Sequence, residues 1–238
     1  MNAVVFDLFH TLVDPEQFRP PGFVRSHAVA DLLGFPRAEF THYWALTRHQ
    51  RNTDSSLSVR TLIREYALSR GLPASEQALQ EAEECLGRYQ DRAILEPDPG
   101  VLDALRNLRG RGMRIAVLSN VDAREIAAWP RSPLRPLVDR TCFSCFTGVE
   151  KPDPRAFAMC LEALGVAAAD AAFVGDGGDG ELVGAKRAGF GCVVFLRRWV
   201  AVNGLRSPEE LAAFARQADC CVDDFPALVD LLLSSSRG

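Results

Sequence analysis

Lysine is nearly missing from this 238-residue chain: Lys151 and Lys186 stand against twenty-five arginines. A site that needs a compact, flexible ammonium therefore has only two candidates. Long apolar runs are missing as well. None approaches the roughly 18–20 residues that a membrane-spanning helix requires, so no membrane partner is expected. The amino-terminal MNAVVFDLFHTLVDP has no basic stretch and no small-residue cleavage site, so no signal peptide and a cytoplasmic location are expected. An excess of positive charge is absent too. The net charge of -4 offers no general attraction to nucleic acid. Cysteine numbers seven, an odd count in a chain far larger than disulfide scaffolds, and most sit in apolar runs such as GCVVFL and ADCCVDD. Buried reduced thiols are expected. The lone CxxC of Cys142 and Cys145 has neither a second pair nor a histidine at zinc spacing.

Hydrophobic residues make up 47% and charged residues 24%, the proportions of a globular protein with a sizeable core. Residues 3–6 (AVVF) read as a buried strand ending at Asp7. From about 23 to 95 the spacing is helical throughout, with stops at Gly34 and Gly71 and an N-cap at Ser75. PDPG at 97–100 reads as the exit from this stretch. Helices and strands then alternate: 101–112, strand 113–120, strand 139–146, helix 154–165, strand 171–176, helix 181–189, strand 192–196, helix 207–217, strand 218–222, helix 225–235. That alternation predicts an α/β fold, a three-layer doubly wound parallel sheet, with an inserted all-helical unit. The division expected is a core of 1–13 and 96–238 with a helical unit of 14–95. In such sheets ligands sit beyond the carboxyl ends of the strands. Asp7, Ser119, Asn120 and Asp176 occupy those ends.

Four features recur in order: Asp7 in FDLFHTL, Ser119 in AVLSN, Lys151 in GVEKPDP, and Asp176 in VGDGGDGELVGAKRAG. On these motifs the chain resembles the haloacid dehalogenase-like (HAD) hydrolase superfamily, in the subgroup (subfamily I) with a helical cap inserted after the first motif. The resemblance covers essentially the whole chain. It implies a Rossmann-like core, a mobile cap, and Asp7 as a nucleophile that forms a covalent ester later split by water. It implies Mg²⁺ held by Asp7, Asp176 and the backbone carbonyl of Phe9, with Asp179 and Glu181 around the metal's own ligands. Lys151 would balance the negative charge of the transferring group. Ser119, Asn120 and Thr11 would join Lys151 in holding the phosphoryl group, Thr11 by positioning its loop.

The sequence departs from the family in one place. The usual DxDxT reads Asp7-Leu8-Phe9-His10-Thr11 here, so the second aspartate, which protonates the leaving group, is Phe9. A Mg²⁺-dependent phosphatase acting on a small phosphorylated metabolite is the first expectation, as a monomer or homodimer. A 2-haloacid dehalogenase is an alternative, because halide leaves without a proton. A non-catalytic binding protein of this fold is another. A phosphonatase is disfavoured because the helical unit lacks the lysine such an enzyme needs. His10, where the family has glycine, is a candidate replacement acid–base. A dehalogenase arginine remains open among Arg25, Arg37, Arg48 and Arg60. Trp44, Tyr43 and Phe40 are candidates to line the site, and 53–56 (TDSS) is expected to dip toward Asp7.

Overall fold

A computed structural model describes residues 1–234. After β1 (Ala3–Phe6) come five helices: α1 (Arg25–Leu33), α2 (Arg37–Leu46), α3 (Arg48–Thr53), α4 (Val59–Ser69) and α5 (Glu76–Leu95). They are followed by α6 (Pro99–Gly110), β2 (Arg114–Ser119), β3 (Arg140–Phe143), α7 (Ser144–Thr147) and α8 (Pro154–Leu164). The chain finishes with β4 (Ala171–Gly175), α9 (Glu181–Arg187), β5 (Cys192–Leu196), α10 (Pro208–Gln217), β6 (Cys220–Val222) and α11 (Phe225–Ser234). The six strands form one parallel sheet in the order β3-β2-β1-β4-β5-β6.

Strand period sorts the core into two layers. Val4 and Phe6 pack with α6 and α11, while Ala3 and Val5 pack with α8 and α9 on the opposite face. Central strands buried on both faces carry no polar residue until they end, which is why they read as unbroken apolar runs. The register does the positioning. Phe6 pairs with Val117 on one side and Val174 on the other. Asp7, Ser119 and Asp176 therefore emerge together at the carboxyl ends of the three central strands β1, β2 and β4.

The helices between β1 and α6 have a separate core built from Phe35, Phe40, Trp44, Ile63, Tyr66 and Leu79. Its aromatic rings lie 5.1–5.8 Å apart between Phe40 and Phe35, Trp44 and Tyr66. Gly34 ends α1 in the left-handed conformation, and the side chains of Ser58 and Ser75 cap α4 and α5 as N-caps should.

Some local expectations are corrected. The helical stretch 37–50 divides into α2 and α3 because Thr47 turns its hydroxyl back onto the Tyr43 and Trp44 carbonyls. The strand expected over 139–146 ends at Phe143 and turns into α7, which Gly148 stops. All seven cysteines are free thiols. Cys220 and Cys221 are less covered than their apolar context suggests, because β6 is the sheet's edge strand. Among the described residues no helix is long and apolar enough to cross a membrane.

Candidate active site

Asp7 leaves β1 with its N–H donating to the Val174 carbonyl, which anchors it beside β4. Its Oδ1 accepts from Lys151 Nζ at 2.6 Å and from Ser119 Oγ at 3.3 Å. Among the described residues its Oδ2 has no hydrogen-bond partner, and Asp7 lines a cavity of about 600 Å³. Lys151 is buried at 4% exposure, and its Nζ also reaches Glu181 Oε2 at 2.5 Å. Burial opposes that charge. The Asp7 and Glu181 carboxylates outweigh it and hold the ammonium well above the usual amine range.

Asn120 works on Lys151 rather than on the cavity's open space. Its Oδ1 accepts from the Lys151 N–H at 2.7 Å, and its Nδ2 donates to the Lys151 carbonyl at 2.8 Å. Nδ2 also reaches Asp179 Oδ2 at 3.2 Å. The amide thus clamps the loop that delivers the lysine. Glu181, at the start of α9, folds back under Gly175, where a Cβ would sit 2.1 Å from its Oε1. That oxygen accepts from the Gly177 N–H.

Asp7, Asp176 and Glu181 present carboxylate oxygens that lie within 4.8 Å of one another, all three buried. Burial, then the Asp7 charge, raises the proton affinity of Asp176. The three acids meet the Lys151 ammonium and, 3.7 Å from Asp176 Oδ2, the Arg206 guanidinium, so negative charge still exceeds positive around the trio. Phe9 lines the same cavity, and among the described residues its carbonyl accepts no backbone hydrogen bond, since the local bridge uses the Leu8 and Val13 carbonyls. Clustered hard oxygen donors with a charge deficit fit a divalent cation such as Mg²⁺.

The remaining expected residues are placed as follows. Asp179 lines the cavity but lies outside the acidic trio and pairs with Arg48 at 2.7 Å. Thr11 is fully buried, does not line the cavity, and its Oγ1 has no hydrogen-bond partner among the described residues. His10 adopts a left-handed φ of 61°, the conformation glycine would take without strain, and lines the cavity. Its Nδ1 stands 3.5 Å from Asp14 Oδ1. Burial works against a charged imidazole there, but Asp14 and Asp176 outweigh it and raise the His10 pKa. Asp14 is itself held by Asn203 through two contacts of 3.0 Å.

The segment at 53–56 does not reach the cavity. Asp54 instead accepts from Ser56 in an exposed turn, and α3 lines the wall through Arg48, Arg51 and Asn52. Trp44 also lines it, whereas Phe40 lies fully inside the helical core and Tyr43 donates to the Leu62 carbonyl. Of the four arginines left open, Arg25 and Arg48 face the cavity, while Arg37 and Arg60 pair with Asp31 and Glu83 elsewhere. Arg51 and Arg206 were not singled out by sequence. Among so many arginines nothing local marks them, and only the packing of α3 and of the irregular loop after β5 brings them in.

The haloacid dehalogenase-like hydrolase family model matches residues 1–189. A ribulose-1,5-bisphosphate 5-phosphatase of Halopiger xanaduensis is 27% identical over 240 residues, spanning 97% of this chain and 99% of that one. Phosphatase MT3486 of Mycobacterium tuberculosis is 31% identical over 195 residues, 79% of this chain and 84% of its own. The L-2-haloacid dehalogenase of Xanthobacter autotrophicus shares the fold at a TM-score of 0.59, 22% identity and 98% coverage of both chains. With the family's motifs meeting at the carboxyl ends of the central strands and its model spanning most of the chain, this protein belongs to the haloacid dehalogenase-like hydrolases.

Proposed function

We propose that this hydrolase is a Mg²⁺-dependent phosphatase of small phosphorylated metabolites, acting in the cytoplasm, where its seven free thiols suit a reducing milieu. Residues 14–95 serve as the cap over a core of 1–13 and 96–238. The observation that carries the reading is the buried trio of Asp7, Asp176 and Glu181 around one ammonium. Asp7, Asp176 and the Phe9 carbonyl would hold Mg²⁺, which supplies the positive charge that lets a carboxylate meet an anionic phosphate. Asp179 helps fix the surroundings through Arg48 and Asn120.

In the chemistry, the unpaired Asp7 Oδ2 attacks phosphorus, the bond to the leaving oxygen breaks, and water later splits the aspartyl ester. Lys151 and Ser119 hold Oδ1 so that Oδ2 keeps one direction of attack. Lys151 also offsets charge as the phosphoryl group transfers. Asn120 acts mainly by fixing the lysine loop, and Thr11 by its fully packed place in the loop after Asp7. Phe9 cannot protonate a leaving group. The candidate replacement is His10, which lines the cavity with Asp14 and Asn203 behind it.

Wild-type protein is expected to hydrolyse p-nitrophenyl phosphate with Mg²⁺ and to stop on adding EDTA. Asp7→Asn is expected to lose at least about 10³-fold in turnover. EDTA-insensitive hydrolysis would refute the metal assignment. Phe9 supports a second reading, a 2-haloacid dehalogenase, for which halide release in EDTA is the distinguishing result.

A further inference from the structure

The cavity has a second charged wall, remote in sequence from the Asp7 motifs and built by the helical insert. Arg51 of α3 is 5% exposed and lies 3.7 Å over the Trp44 ring. Its Nη1 donates to the Trp44 carbonyl and Thr47 Oγ1, both at 2.7 Å, and its Nε reaches Asp122 Oδ2 at 3.4 Å. Its Nη2 donates to no protein atom among the described residues. Arg25 of α1 spends Nη1 on Glu125 Oε1 at 2.7 Å, and its Nε and Nη2 donate to no protein atom among the described residues. Both arginines line the cavity.

The acids of this wall are already used. Glu125 gives one oxygen to Arg25 and the other to the Asp122 N–H. Asp122 accepts from the N–H groups of Arg124 and Glu125 as well as from Arg51. What remains unspent toward the cavity is therefore donors without acceptors. A ligand's ammonium would find no free carboxylate there, and a neutral hydroxyl would satisfy the guanidiniums poorly. A planar, delocalised charge held by stacking and hydrogen bonds is suited to a carboxylate or a phosphate.

We propose that Arg51 and Arg25 form a second anion subsite, so that the substrate is a phosphomonoester carrying another anionic group at its far end. The inference rests on the phosphatase reading for the near end, where Asp7 meets the phosphoryl group. Carboxylate and phosphate share the recognising chemistry, and the two are separated by experiment.

The test is calorimetric titration of the Mg²⁺-loaded Asp7→Asn protein, which binds without turning over. The probes are straight-chain alkyl phosphates of about two to six carbons and the same chains ending in a carboxylate or a second phosphate. At the chain length that spans the cavity, one of the anion-ended probes is expected to bind at least about tenfold more tightly than its neutral counterpart. The stronger of the two endings names the source. Arg51→Met or Arg25→Gln, each placed in the Asp7→Asn background and checked for an unchanged fold by circular dichroism, is expected to erase that preference. Two variants are used because removing Arg51 also strips Asp122 of its cation. Equal affinities for charged and neutral tails at every length, no binding by any probe, or a preference that survives both substitutions would overturn the subsite. Failure of the phosphatase reading shows separately, as absence of p-nitrophenyl phosphate hydrolysis by the wild-type protein.

Discussion

Phe9 is where the chemistry of this chain parts from its family's pattern. Its side chain lines the cavity beside Asp7 but has no proton to give. A phosphatase built this way depends on the leaving group's own stability, since a positioned general acid is worth about 10²–10⁴ in rate. Turnover is therefore expected to be fast for p-nitrophenyl phosphate and slow for alkyl phosphates. Phe9→Asp is expected to raise alkyl phosphate turnover by about 10²-fold while changing the nitrophenyl ester much less. Steady-state kinetics on the two esters checks this, and equal gains on both would contradict it. His10 bears on the same question. Its positive φ is a strain that glycine would avoid, yet Asp14 and Asn203 hold a fixed setting behind it. Lys151, one of two lysines in the chain, is the residue whose role depends most on shape. A guanidinium has a planar fork and no room between Asp7 and Glu181.

At the scale of elements, the site depends on how β4 ends. Gly175 is the last residue of that strand, and Glu181 of α9 occupies the space its side chain would fill. Alanine there would place a Cβ 2.1 Å from Glu181 Oε1 and force the carboxylate off Lys151 and the Gly177 N–H. Gly175→Ala is expected to cost about 3–5 kcal/mol, as breaking a buried ion pair does, and to lower turnover at least about tenfold. Urea denaturation and phosphate release measure the two effects. An unchanged midpoint with full activity would show that Glu181 is not held in this way. The elements were legible in the sequence to the extent that one signal dominated them. Apolar runs ended by acids became β1 and β4, the glycines at 34 and 71 marked the ends of α1 and α4, and Ser75 marked the start of α5. Thr47 and the Phe143–Ser144 junction were not legible, because a hydroxyl turning onto a carbonyl or a strand running straight into a helical turn leaves the hydrophobic pattern unchanged.

For the whole molecule, the short loop after β2 carries one of the charged joints between the insert and the core. Asp122 meets Arg51, Arg124 meets Asp91 and the Glu83 carbonyl, and Glu125 meets Arg25. Arg124 fits because α5 has Gly87 there, where a Cβ would lie 2.1 Å from the guanidinium carbon. Burial, then the Glu125 charge, pushes the Asp122 carboxyl up to about 6. A folded-state pKa raised above the unfolded value gives stability that is present at low pH and lost as pH rises through the folded value. The stability of wild type relative to Asp122→Asn is thus expected to fall by about 1–3 kcal/mol between about pH 4 and pH 6. Urea midpoints across that range test it, and a constant difference would contradict it. This joint shows why half of the site was hidden from sequence reading. Asp7, Ser119, Lys151 and Asp176 follow from strand ends and motif order, whereas Arg25, Arg51 and Asp122 meet only through packing between segments about 25–100 residues apart.

Attack by Asp7 on phosphorus is open to acid-quench mass spectrometry of the Mg²⁺-loaded protein mixed with p-nitrophenyl phosphate, read on the peptide that contains Asp7. A transient phosphoryl adduct on Asp7, absent from Asp7→Asn and from protein treated with EDTA, is the expected result. Steady phosphate release with Asp7 never modified on any timescale, or an adduct confined to another residue, would contradict the account.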